Sequence, residues 1–206
     1  MEQQTYTQTS NVQGSKPDRT MTITVTPTLV WKKSTPPYDI EATRTFSLTA
    51  SMPDMTGRVH ADGDIILNPL PSPQSYSGRV DITFVLDTSQ MKDASGINPV
   101  QGRWALATEY SGTGPVTGFC WFCNVTNVSQ GQYDTTPINV PNMTPSRTSD
   151  TQIFVDDDTP GSSNTPYGYC LGLVLPQYGN YYMTIDPIVT GKSGGGGNPP
   201  TFMLKE

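Results

Sequence analysis

The stretch Gly118-Phe-Cys-Trp-Phe-Cys123 places two cysteines at CxxC spacing, the arrangement of thiol–disulfide centres and of one half of a zinc site. Each chemistry has a geometric requirement. A reactive pair needs both sulfurs on one side with a lowered thiol pKa, which the first turn of a helix supplies. This segment is aromatic and apolar and reads as a strand, so Cys120 and Phe122 face one way while Trp121 and Cys123 face the other. A zinc site would need two more ligands, and Cys170 and His60 are the only cysteine and histidine left in the chain. The spacing therefore predicts a strand buried on both faces, its thiols packed as small hydrophobes. An odd number of cysteines agrees with reduced thiols.

Asp156-Asp157-Asp158 is the second candidate. Adjacent carboxylates repel and are either solvated or neutralised by a cation such as calcium. A solvated acidic turn is the first reading, because the triplet lacks the alternating oxygen spacing of a calcium loop. Calcium held by Asp156, Asp157 and Asp158, with Asp62 and Asp64 joining if the loops meet, is the second. Phe84-Val-Leu-Asp87-Thr-Ser89-Gln-Met91 is similar to the opening of a von Willebrand A metal site, but Met91 stands where a hydroxyl belongs. A strand ending in a turn capped by Asp87 is expected instead. Gly191-Lys-Ser193 lacks the first glycine and the following helix of a phosphate loop. His60 has no nucleophile elbow to serve, and nothing selects a catalytic carboxylate pair, so a non-enzymatic protein is expected. Sugar binding would use aromatic faces, for which Trp104, Tyr178, Tyr181 and Tyr182 are the candidates.

The elements that must position these residues are strands. The chain has 206 residues, 34% hydrophobic and only 15% charged, with 19 Gly and 19 Pro. Its polarity comes from Thr, Ser, Asn and Gln, as on exposed strand faces joined by many turns. Alternation of apolar and polar residues predicts strands over 21–31, 44–52, 64–68, 79–86, 103–110, 118–128, 152–156, 167–175 and 181–189, with a last one over 201–204. Pro27 places its strand at an edge or breaks it. Residues 68–78 and 129–150 read as long loops, where recognition usually sits. The expected architecture is all-β, an antiparallel two-sheet β-sandwich or jelly roll over residues 20–189. A flexible arm (1–19) precedes it and a Gly-rich arm (190–206) follows.

A net charge of −6 argues against nucleic acid, whose phosphates call for clustered Lys and Arg. No apolar run reaches the length of a membrane span, and the N-terminus lacks a secretory signal. A soluble, cytoplasmic protein is expected. The sequons at Asn124 and Asn127 read as coincidences of an Asn- and Thr-rich composition.

Tyr167-Gly-Tyr-Cys-Leu-Gly-Leu-Val174 and Gly179-Asn-Tyr-Tyr-Met-Thr-Ile-Asp-Pro-Ile-Val189 together resemble the closing strands of the bacterial PixA/AidA inclusion-body protein family. In that family a Gly and an aromatic pair precede an Asp-Pro-Ile ending. The resemblance covers residues 167–189 and implies a cytoplasmic, non-enzymatic β-sandwich that accumulates or assembles; it supplies no catalytic residues. Low charge density and the edge strands of a sandwich point the same way. The first functional expectation is thus a structural protein partnered by copies of itself. A carbohydrate-binding module with a glycan partner is the alternative, and a virus or phage structural subunit a further one.

Overall fold

The computed structural model describes residues 16–67, 76, 79–112, 115–127, 132–134, 136–141, 143–157, 166–185 and 201–203. Their strands, in chain order, are β1 (Arg19–Lys33), β2 (Asp39–Ser51), β3 (Ile65–Ile66), β4 (Val80–Leu86), β5 (Arg103–Trp104) and β6 (Cys120–Asn127). They continue with β7 (Gln132–Tyr133), β8 (Met143–Arg147), β9 (Gln152–Asp157), β10 (Pro166–Leu175), β11 (Tyr181–Ile185) and β12 (Thr201–Met203). Among the described residues the helical segments are single 3-10 turns, such as Pro53–Met55 and Pro176–Tyr178. No helix of the described residues is long and apolar enough to cross a membrane.

The strands form the expected all-β, two-sheet sandwich. One sheet runs β2-β1-β4-β9-β8; the other runs β3-β12-β10-β6-β7, with β11 and β5 also paired to β10. Most pairs are antiparallel; β1 with β4 and the short β3 with β12 are parallel. For β1 and β4 the reason is local: Ser51 at the end of β2 and Val80 at the start of β4 both lie beside the start of β1. β4 therefore runs opposite to β2 and along β1. No crossover helix is needed.

Alternation in β1 and β4 buries Met21, Ile23, Val25, Val80, Ile82, Phe84 and Leu86 between the sheets. The facing layer is Cys120 and Phe122 of β6, Tyr169, Leu171, Leu173 and Leu175 of β10, and Met183 and Ile185 of β11. Tyr169 joins the layers, its ring 5.2 Å from Phe84 and 6.4 Å from Phe46. Complete burial of one such side chain contributes about 1.5–3 kcal/mol relative to leaving it exposed.

Several expectations change in detail. Pro27 lies within an unbroken β1, opposite Arg44. It is tolerated because the β4 pairing stops at Val25–Leu86, leaving β1 a local edge beyond that point. The 129–150 segment, expected to be a loop, contributes β7 and β8. Pro and Ser in β8 hide a strand that forms by pairing with β9. The strand expected over 103–110 is two residues long, and the chain then leaves the sheet. The arm expected to end at residue 19 yields Arg19 to β1, where it is buried. Residues 1–15 and 190–200 lie outside the described residues, as does most of 68–78.

Candidate functional site

The GFCWFC segment adopts the alternation its sequence predicts. Cys120 and Phe122 enter the central core, and Trp121 and Cys123 form a second cluster with Cys170 on the opposite face of the same sheet. All three cysteines are buried and none is in a disulfide, and burial pushes the Cys120 thiol up to about 12.

The pleat of β9 divides Asp156 from Asp157. Asp157 points inward with no exposure, in a row with Val80 and Arg19, while Asp156 faces the other way; Asp158 lies outside the described residues. Among the described residues, the metal-ligating atoms that gather are those of His60, Asp62 and Asp64, which lie within 4.8 Å of one another. Asp87 ends its strand as a cap, accepting the Ser89 N–H at 2.9 Å and the Thr26 hydroxyl at 3.3 Å. These bonds, led by that of Ser89, lower its pKa.

The aromatic candidates separate into three environments. Trp104 is fully buried. Tyr178 lies at one end of the sandwich, in edge-to-face contact with Trp31 (4.9 Å) and Tyr38 (5.3 Å), so its ring is engaged inside the molecule. Tyr181 is nearby in the chain but differently employed: its hydroxyl accepts the Ile40 N–H at 3.2 Å. Tyr182 points to the other face, where its hydroxyl donates to the Gly118 carbonyl at 3.0 Å and meets the Thr117 hydroxyl at 2.7 Å.

Tyr182 thereby marks a feature absent from the sequence reading. Strands β5 and β6 lie along one edge of β10, with Trp104 opposite Leu173 and Cys120 opposite Leu171. They are two halves of one line of pairing, and the chain between them loops out opposite Gly172. Ala105 N–H donates to the Gly172 carbonyl and Gly172 N–H to the Phe119 carbonyl, each at 2.8 Å. Both ends of the loop therefore meet at one residue, the defining geometry of an Ω-loop. Only glycine fits there, since a Cβ on residue 172 would lie 2.1 Å from the Gly118 carbonyl oxygen. A glycine at 172, inside the apolar run of β10, was the available signal.

The loop is braced from within. Glu109 receives both guanidinium nitrogens of Arg103 at 2.7 Å, and the Leu106 N–H at 2.7 Å. The Glu109 carbonyl accepts the Gly118 N–H at 2.9 Å. Arg103 beside Glu109 holds its carboxyl below the usual range. On this frame Leu106, Tyr110 and Val116 stand out into solvent, 46%, 40% and 55% exposed. Three large apolar side chains displayed beside these bonds are suited to contact with another surface.

Sheet edges are less available. The outer edge of β2 is closed at Ile40 by Tyr181 and at Phe46, whose N–H donates to the Ala61 carbonyl at 3.0 Å. Edge strand β8 carries Pro145, which cannot donate, and β3 and β7 are two residues each. Comparison of the chain with protein-family models, curated proteins and solved structures finds no match.

Proposed function

We propose that this chain is a non-enzymatic structural protein that assembles with copies of itself, and that the braced 105–118 loop is a contact in that assembly. The observation that carries this reading is the outward display of Leu106, Tyr110 and Val116 from a loop tied at both ends to Gly172. Ordering the loop in advance lowers the entropy lost on contact. The resemblance of residues 167–189 to the PixA/AidA inclusion-body family supports the same reading, as does a charge fraction of 15%, which limits repulsion between copies.

One loop is smaller than the ~800 Å² per partner of a stable pairwise interface. The contact is therefore weak singly and effective when repeated. Mass photometry and negative-stain microscopy of the full chain test this across a concentration series. Wild type is expected as particles or filaments, and Leu106→Asp/Val116→Asp as monomers with an unchanged far-ultraviolet dichroism spectrum. A wild type that stays monomeric at high concentration overturns the proposal. If that monomer binds immobilised glycans through Tyr178, it is instead a carbohydrate-binding module.

A further inference from the structure

We infer that the 60–64 turn is a divalent-metal site, with His60, Asp62 and Asp64 as its protein ligands and a transition metal of the zinc, cobalt or manganese class as its occupant. One imidazole nitrogen and two carboxylate oxygens lie within 4.8 Å of one another. Around zinc, ligands about 2.1 Å from the ion sit roughly 3.4 Å apart, so these atoms need close by little more than an ångström. This is a mixed nitrogen and oxygen set on a single turn. It differs from Asp156 and Asp157 of β9, which the pleat turns to opposite faces.

The gathering is imposed by the fold. His60 N–H donates to the Asp64 carbonyl and Gly63 N–H to the His60 carbonyl, both at 2.9 Å, which closes the turn. Two bonds then fasten it to the core: Tyr169 donates to the Gly63 carbonyl at 2.8 Å, and Phe46 N–H to the Ala61 carbonyl at 3.0 Å. Gly63 has φ +102°, and a Cβ there would lie 2.8 Å from the Phe46 ring, so the backbone can pass only as glycine. Asp62 is oriented by accepting the Asp64 N–H at 3.2 Å. Such outer bonds fix ligand direction in metal sites.

Holding two carboxylates this close raises their mutual repulsion, which a cation between them offsets. Arg44 is a charged group of opposite sign nearby: it and Asp64 both act on the Tyr169 phenol, in opposite directions. A bound metal shares Asp64 with that field. Imidazole selects against calcium, which takes oxygen ligands alone, and in favour of zinc or its neighbours. Three protein ligands leave a coordination position for water.

The test uses the full chain without a histidine tag, stripped of metal. Zinc chloride titration by calorimetry is expected to saturate at one ion per chain, and cobalt to give a visible absorption band. His60→Ala and Asp62→Asn should each weaken zinc at least ~10-fold, while Asp156→Asn leaves it unchanged. His60 is exposed, so its replacement spares the fold, which dichroism checks. Because the chain has one histidine, its imidazole NMR signals report the site directly and should shift with zinc. Absence of saturable zinc uptake overturns the inference. So does uptake that survives His60→Ala undiminished, or zinc binding to the wild type that leaves its imidazole signals unmoved.

Discussion

At the residue scale, single polar atoms decide which turns are fixed. Tyr169 is the clearest instance. Its ring fills the core between Phe84 and Phe46, and burial holds its phenol well above the usual value, so it remains a donor to Gly63 at working pH. Tyr169→Phe keeps the ring and strands a buried carbonyl. Such a loss costs about 1–3 kcal/mol, to be read as a lower denaturant midpoint with an unchanged m-value. Equal midpoints for the two proteins would mean that this bond does not anchor the turn. Sequence alone marked Tyr169 as a strand aromatic, but its partner lies 106 positions away and is a backbone atom, which leaves no trace in side-chain type. The cysteines were legible for the opposite reason. Alternation along one strand is a local rule, and it separated Cys120 from Cys123 without reference to anything distant.

At the scale of elements, the 105–118 loop is an insertion in a line of strand pairing, braced by Arg103 and Glu109. The carboxyl of Glu109 is held low chiefly by its bonds to Arg103 and by the Leu106 N–H. A depressed folded pKa stabilises above the ordinary carboxylate range, and that stabilisation is lost as pH falls through it. Glu109→Gln is accordingly expected to cost about 1 kcal/mol at pH 7, the upper range for a solvent-accessible bidentate pair. Thermal melts should show the gap between wild type and variant closing below about pH 4. A gap independent of pH would assign the effect to packing. The sequence suggested a strand over 103–110 because Trp104 and Tyr110 are strand-forming types. Propensity could not show that the chain leaves β10 after Ala105, since that exit depends on the absent side chain at Gly172. Strands β7 and β8 were missed by the same rule working in reverse. They hold polar residues and a proline, and exist because β6 and β9 offer them partners.

At the scale of the whole molecule, two layers enclose one core, and a second cluster of Trp121, Cys123 and Cys170 lies behind the β6–β10 sheet. Every thiol is buried, so reaching one requires the sandwich to open. A native thiol assay with Ellman's reagent should read near zero, and after denaturation all three cysteines of the chain should react. Fast labelling of any one in the native protein would place that strand outside the packed layers. Sequence by itself determined the class of this protein. Period-two alternation, turn-forming residues and low charge depend on neighbours along the chain, so they specify strands, their inward faces and a sandwich. Tertiary structure alone decided the parallel pairing of β1 with β4, the looping out of residues 105–118 and the meeting of His60 with Asp62 and Asp64. Each of these depends on which backbone lies alongside which, a matter of distance in space that residue types along one strand do not encode.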